Sequence, residues 1–274
     1  LMNGVLAIAR KEFEDGLRNR WVLTSILLLG GLALVVASVG TTPVGTVSGT
    51  TLATTVASLA SLSVYLVPLI ALMLSHDAIV GEYERGTLLL LLSYPVTRAQ
   101  IQLGKFAGHL AILALALALG YGAAGAILAL TTDTASEDYV ALVRLVLTSV
   151  LLGAVFLSLG YAVSALVRER ASGIGAAFGL WLVVVVLYDL ALIGILVADT
   201  NGVIDAGSLS ALMLVNPADS FRIANLAALD SSFIDLGPTA MANDGAAWIA
   251  TGALAAWVAG SAVLAFILFR RYEP

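Results

Sequence analysis

Several apolar runs in this 274-residue chain exceed the roughly 18 residues that a helix needs to cross about 30 Å of hydrocarbon. No other feature narrows the fold as far. Lipid offers no partner to a free backbone N–H or C=O, so such runs must become helices. A soluble core is excluded by composition: 60% of residues are apolar and 11% charged, against about 25% charged in soluble domains. A water-soluble fold of this size has to wet its own surface. The expected fold class is an all-α integral membrane protein. Its six transmembrane helices fall at about 21–39, 56–75, 105–130, 142–167, 173–198 and 247–269.

Residues 1–20 read as an amphipathic interfacial helix, with Val5, Leu6, Ile8, Ala9, Phe13 and Leu17 towards lipid. They mix basic and acidic side chains and carry no small-residue cleavage site, so no cleaved signal peptide is expected. Residues 21–274 form the six-helix domain, with a cytoplasmic segment at 76–105 and an external one at 199–246. Stretches 40–55 and 131–141 read as loops.

Orientation follows from the basic residues. Arg10, Lys11, Arg18, Arg20, Arg85, Arg98, Lys105, Arg168, Arg170, Arg270 and Arg271 share one side, leaving only Arg144 and Arg222 opposite. By the positive-inside rule the first side is cytoplasmic, with both termini inside the cell membrane. The other face is acidic, holding Asp133, Glu137, Asp138, Asp199, Asp205, Asp219, Asp230, Asp235 and Asp244. Lysine is scarce and the net charge is −5, a balance that an archaeal or halophilic source would explain. No cysteine is present, which excludes disulfides and thiolate metal sites. Small residues recur four apart at Gly104–Gly108, Gly160–Ser164, Gly175–Gly179 and Ala256–Gly260, a spacing that lets helices approach closely in lipid.

The most informative stretch lies between the second and third spans. Asp77 can cap a short helix carrying Glu82 and Arg85 at i, i+3. Pro95 ends the leucine run 88–92, and Thr97 with Gln100 forms a capping box that starts the next helix. A cytoplasmic helix wedged between two spans can pass force from a soluble partner into the membrane. The residues alone leave a second reading open, a solvated connecting loop.

The run Asp77, Gly81-Glu82, Arg85-Gly86-Thr87, then Pro95-Val96-Thr97-Arg98 and Leu103-Gly104-Lys105 resembles the signature of ABC-2-type ABC transporter permeases. Ile8-Ala9-Arg10-Lys11-Glu12-Phe13 is similar to that family's amphipathic N-terminal helix. Asn216-Pro217-Ala218-Asp219 with Arg222 is similar to its external element. Within the family, the chain looks like permeases of the nitrous oxide reductase maturation type. The resemblance implies a cytoplasmic coupling helix that docks on a separate ABC ATPase subunit, through Asp77, Glu82, Glu84, Arg85, Gly86, Thr87, Arg168 and Arg170. Gly86 would let backbones approach there. It also implies a second permease copy in a homodimer, and a path or gate near Asp189, Asn216, Pro217, Asp219 and Arg222. The cargo is either an exported substrate or motion passed to an external accessory protein. No nucleic-acid partner is expected.

No Gly-x-x-x-x-Gly-Lys-Ser/Thr loop occurs, so ATP and Mg are expected on the partner chain and no cofactor or metal on this one. The chain is expected not to be an enzyme itself. The alternative, an ion-coupled secondary transporter, predicts several ionisable groups inside spans. Only Asp189 qualifies.

Overall fold

A computed structural model describes residues 2–39, 51–131, 136–199, 205–226 and 244–272, and among these every regular element is helical. The helices are α1 (Met2–Arg18), α2 (Arg20–Val39), α3 (Thr51–Ser75), α4 (Val80–Glu84), α5 (Thr87–Ser93), α6 (Arg98–Thr131) and α7 (Ser136–Leu166). They continue with α8 (Arg170–Trp181), a π-helical turn over Leu182–Leu187, α9 (Tyr188–Ala198), α10 (Ala206–Val215), α11 (Pro217–Leu226) and α12 (Asp244–Arg271). Five helical stretches are long and apolar enough to cross a bilayer: Thr55–Glu84, Arg98–Ile127, Tyr139–Leu166, Arg170–Ala198 and Gly245–Arg271. The chain is a multi-pass membrane protein. The first span expected, 21–39, falls on α2.

Element ends differ from the sequence reading for local reasons. The capping box forms as expected: the Thr97 backbone N–H donates to Gln100 Oε1 at 2.7 Å, and the Gln100 N–H donates to Thr97 Oγ1 at 3.2 Å. It starts α6 at Arg98, seven residues before the apolar span proper. At 34 residues α6 is about 51 Å long, more than the hydrocarbon needs, so one end stands clear of it. The loop expected at 131–141 is shortened, since α6 runs to Thr131 and α7 begins at Ser136. Likewise α3 starts at Thr51, inside the loop expected at 40–55.

The core is the packing of α3 on α7, flanked by α2 and α6. Leu59, Val64, Val67, Leu72, Leu117, Tyr121, Leu152 and Phe156 are fully buried there. Small residues set the closest crossings. A Cβ at Gly104 would stand 2.7 Å from Ile8, and one at Gly108 2.7 Å from the Ala9 carbonyl, so this pair seats α1 on α6. Gly160 faces Ser75 of α3, while Gly175, Gly179 and Gly260 face open space. The stretch Arg170–Ala198 is the least covered: only 11% of its most apolar window is buried, against 50% for α7.

That stretch also carries the fold's irregular turn. Leu182–Leu187 reads Leu-Val-Val-Val-Val-Leu, and successive β-branched residues crowd an α-helix. A π turn leaves carbonyls without their usual donors and often marks a functional position. Here Asn216 Nδ2 donates to the Val184 carbonyl at 2.8 Å.

Candidate functional site

Two groups of buried charge sit at opposite ends of the chain. The first joins α1, α4 and α6. Lys105, whose side chain is 6% exposed, donates to Glu12 Oε1 at 2.8 Å and to Glu82 Oε1 at 3.1 Å. Lys11 reaches Glu12 at 3.3 Å, and Arg85 reaches Glu82 at 3.8 Å. Thr87 Oγ1 donates to the other Glu82 oxygen. Beneath them His109 Nε2 lies 3.6 Å from Glu12 Oε2, and its Nδ1 is bonded to the Tyr161 hydroxyl at 2.7 Å. Burial acts to raise the Glu12 carboxyl, but Lys105, His109 and Lys11 together outweigh it and hold the group below the usual carboxylate range.

Around this node α4 and α5 are fixed by distant residues. Ser164 Oγ on α7 accepts from the backbone N–H groups of Ile79 at 2.9 Å and Val80 at 3.1 Å. It supplies the α4 cap expected from Asp77. That expectation is corrected: the N-cap position of α4 is Ile79, two residues beyond Asp77, and has no side-chain cap, while Asp77 Oδ2 is engaged by Arg170 Nη2 at 2.6 Å. Glu84 Oε1 accepts from the Arg170 backbone N–H at 2.8 Å, so Asp77, Glu84 and Arg170 tie α4 to the start of α8. Arg168 lies over the rings of Tyr272, 4.7 Å away, and Tyr83, 5.7 Å away. Arg98 donates to the Phe269 and Tyr272 carbonyls at 2.7 and 2.8 Å, which clamps the end of α12 beside α4.

Gly86 joins α4 to α5 with φ of +70°, the left-handed region, and nothing lies within 4 Å of a Cβ placed there. Within this chain the glycine serves backbone conformation, rather than the close approach expected. Of the docking residues expected, Glu82 points inward at 13% exposure while Arg85 is 53% exposed and Glu84 is also exposed. Sequence reasoning missed Lys105 and Glu12 as a pair. The available signal was a lone lysine heading an apolar run, where an unpaired cation is costly.

The second group joins α3, α9 and α11. Asn216 Oδ1 accepts from the Ala218 backbone N–H at 2.9 Å, so Asn216 caps α11 and Pro217 takes its first position. One turn on, Arg222 Nη1 bonds Asp219 Oδ1 at 2.7 Å, as the i, i+3 spacing implies. Its Nη2 bonds Asp189 Oδ2 at 2.6 Å and lies 3.5 Å from the Tyr65 hydroxyl. The Tyr188 hydroxyl donates to the Leu212 carbonyl at 2.6 Å. One turn further along α11, Asn225 and Thr148 of α7 bond each other at 2.9 Å. Thus Asp189, Asn216, Asp219 and Arg222 meet, around the π turn. Burial, then the neighbouring Asp189, pushes the Asp219 carboxyl well above its ordinary range. Leu212, Met213 and Leu214 belong to the preceding helix α10, whose cap is Asp205.

Among the described residues the chain is an all-helical, multi-pass membrane bundle with a charged segment locked between α3 and α6. Residues 6–273 match the model of the ABC-2 family transporter proteins, and the chain belongs to that family. A relative from Pseudomonas aeruginosa, named "Probable ABC transporter permease protein NosY", is 47% identical over 274 residues, covering 97% of this chain and 98% of its own. One of the same name from Stutzerimonas stutzeri is 43% identical over 277 residues, covering 98% and 99%. The family resemblance read from residues 77–105 is borne out, and the relatives are named as permeases.

Proposed function

We propose that this chain is the membrane subunit of an ABC transporter, driven by ATP and Mg bound on a separate ATPase. α2 supplies a sixth span, α1 lies in the cytoplasmic interface, and both termini are cytoplasmic in the cell membrane. The ATPase grips the α4–α5 segment by its exposed residues, Glu84 and Arg85, with Arg168 and Arg170 as a second contact. Glu82, Asp77 and Thr87 hold the segment rigid from behind, and Gly86 sets its bend. A second copy covers the fifth span, whose outer face carries Gly175 and Gly179 with open space above them. The work done is export of a substrate, or motion delivered to an external accessory protein near α10–α11.

The observation that carries this reading is the anchoring of α4. Its ion pairs and hydrogen bonds reach α1 and α6 through Lys105, α7 through Ser164 and the start of α8 through Arg170. A load applied there is shared by much of the helix bundle. The test is co-purification with an ABC ATPase and measurement of its activity: Glu84→Ala with Arg85→Ala lowers stimulation while the chain still inserts. Full stimulation in that variant contradicts the reading. The Asp189–Asp219–Arg222 group favours a second reading, an ion-coupled carrier, which predicts transport in liposomes with no ATPase present.

A further inference from the structure

The external group is one cation short. Asp219 is 1% exposed and Asp189 is largely covered, yet among the described residues Arg222 is the one cation bonded to either. The groups facing the pair from every neighbouring element leave that balance unchanged. α3 offers the neutral Tyr65 and α9 the neutral Tyr188. α7 offers the neutral Thr148, bonded to Asn225, while its Arg144 forms no ion pair with the group among the described residues. α12 carries no ionisable side chain from Gly245 to Phe269.

Two oxygens record the same deficit. Asp219 Oδ2 and Asp189 Oδ1 are both buried and without a hydrogen-bond partner, although each carboxyl's other oxygen is held by Arg222. The two carboxyls flank one guanidinium, Asp219 on Nη1 and Asp189 on Nη2. Two ionised carboxylates can only accept, and burying a second, uncompensated negative charge is costly. A single proton removes both difficulties: it supplies the donor and cancels the surplus charge.

We propose that Asp189 and Asp219 form a proton-binding site, one proton being held between their free oxygens while Arg222 neutralises the remaining charge. With the proton bound, α11 is held on the fifth span at the π turn. Its release to the external solvent leaves two carboxylates facing each other across one guanidinium, and the hold of α11 weakens. The site needs no ATPase, and only the assignment of its exit to the external side rests on the orientation proposed above.

Infrared difference spectroscopy of the full-length chain in lipid nanodiscs, titrated from acid to alkaline pH, tests this directly. A protonated-carboxyl band is expected at neutral pH, titrating away as pH rises and missing in Asp219→Asn. The thermal midpoint of the wild type falls over the same alkaline interval, and that of Asp219→Asn does not. Should that variant not fold, the wild-type titration and Asp189→Asn decide in its place. Absence of the band at neutral pH, or its survival in both variants, overturns the proposal. So does a midpoint that responds to sodium, potassium or calcium ions and not to pH.

Discussion

The node around Lys105 and the group around Arg222 each bury two carboxylates against one central cation, and only the first balances them. Glu12 and Glu82 share Lys105, but Lys11 and Arg85 stand at the rim, and each carboxylate has partners on both oxygens. Asp189 and Asp219 share Arg222 alone, with one oxygen of each left over. The difference teaches what each group is suited to. A compensated node that joins α1, α4 and α6 is a strut, whereas an undercompensated one holds its helix conditionally.

Removing the central cation separates the two most sharply. Lys105→Met strands two buried carboxylates and is expected to cost about 3–5 kcal/mol, read as loss of monodisperse protein or a large fall in thermal midpoint. Lys105→Arg restores part of it. Arg222→Met is expected to cost less, about 2 kcal/mol, because the stranded carboxyls can take up protons. An equal loss in both variants would erase the proposed distinction.

Smaller effects sharpen the picture. Asn216→Ala removes the α11 cap, worth about 1 kcal/mol, and frees the Val184 carbonyl. Faster hydrogen exchange confined to α11 and the π turn is the expected result. The pH response should also differ in sign between the two groups. Glu12 titrates below the usual range in the fold, so its contribution is present above the unfolded value and fades as pH falls through the folded one. Asp219 titrates above its range, so its contribution is present in acid and fades as pH rises through the folded value. Glu12→Gln should flatten the acid limb of a stability profile alone.

Much of this molecule was legible in its sequence because the signals are local. Apolar run length placed the five stretches long enough to cross a bilayer, Thr97 and Gln100 placed the start of α6, and Asn216 before Pro217 carries the local signal for the start of α11. The Asp219–Arg222 pair followed from i, i+3 spacing. What stayed hidden depends on residues far apart in the chain. Glu12 and Lys105 are 93 positions apart, and Ser164 caps α4 from 85 positions away. Asp77 is a capping residue by type, but α4 starts at Val80, too far along the chain for it, and its carboxylate meets Arg170 from 93 positions away. The π turn was hidden because a valine run fits an apolar span equally well in α form.

The central claim is that the node around Lys105 is a strut whose exposed edge is where an ATPase works. It is tested by comparing Arg85→Ala with Glu82→Ala in the purified complex, measuring thermal midpoint and ATPase stimulation on the same samples. The account predicts that Arg85→Ala leaves the midpoint within about 0.5 kcal/mol of wild type in stability and lowers stimulation. Glu82→Ala is predicted to lower both. Full stimulation in Arg85→Ala, or an unchanged midpoint in Glu82→Ala, would contradict it.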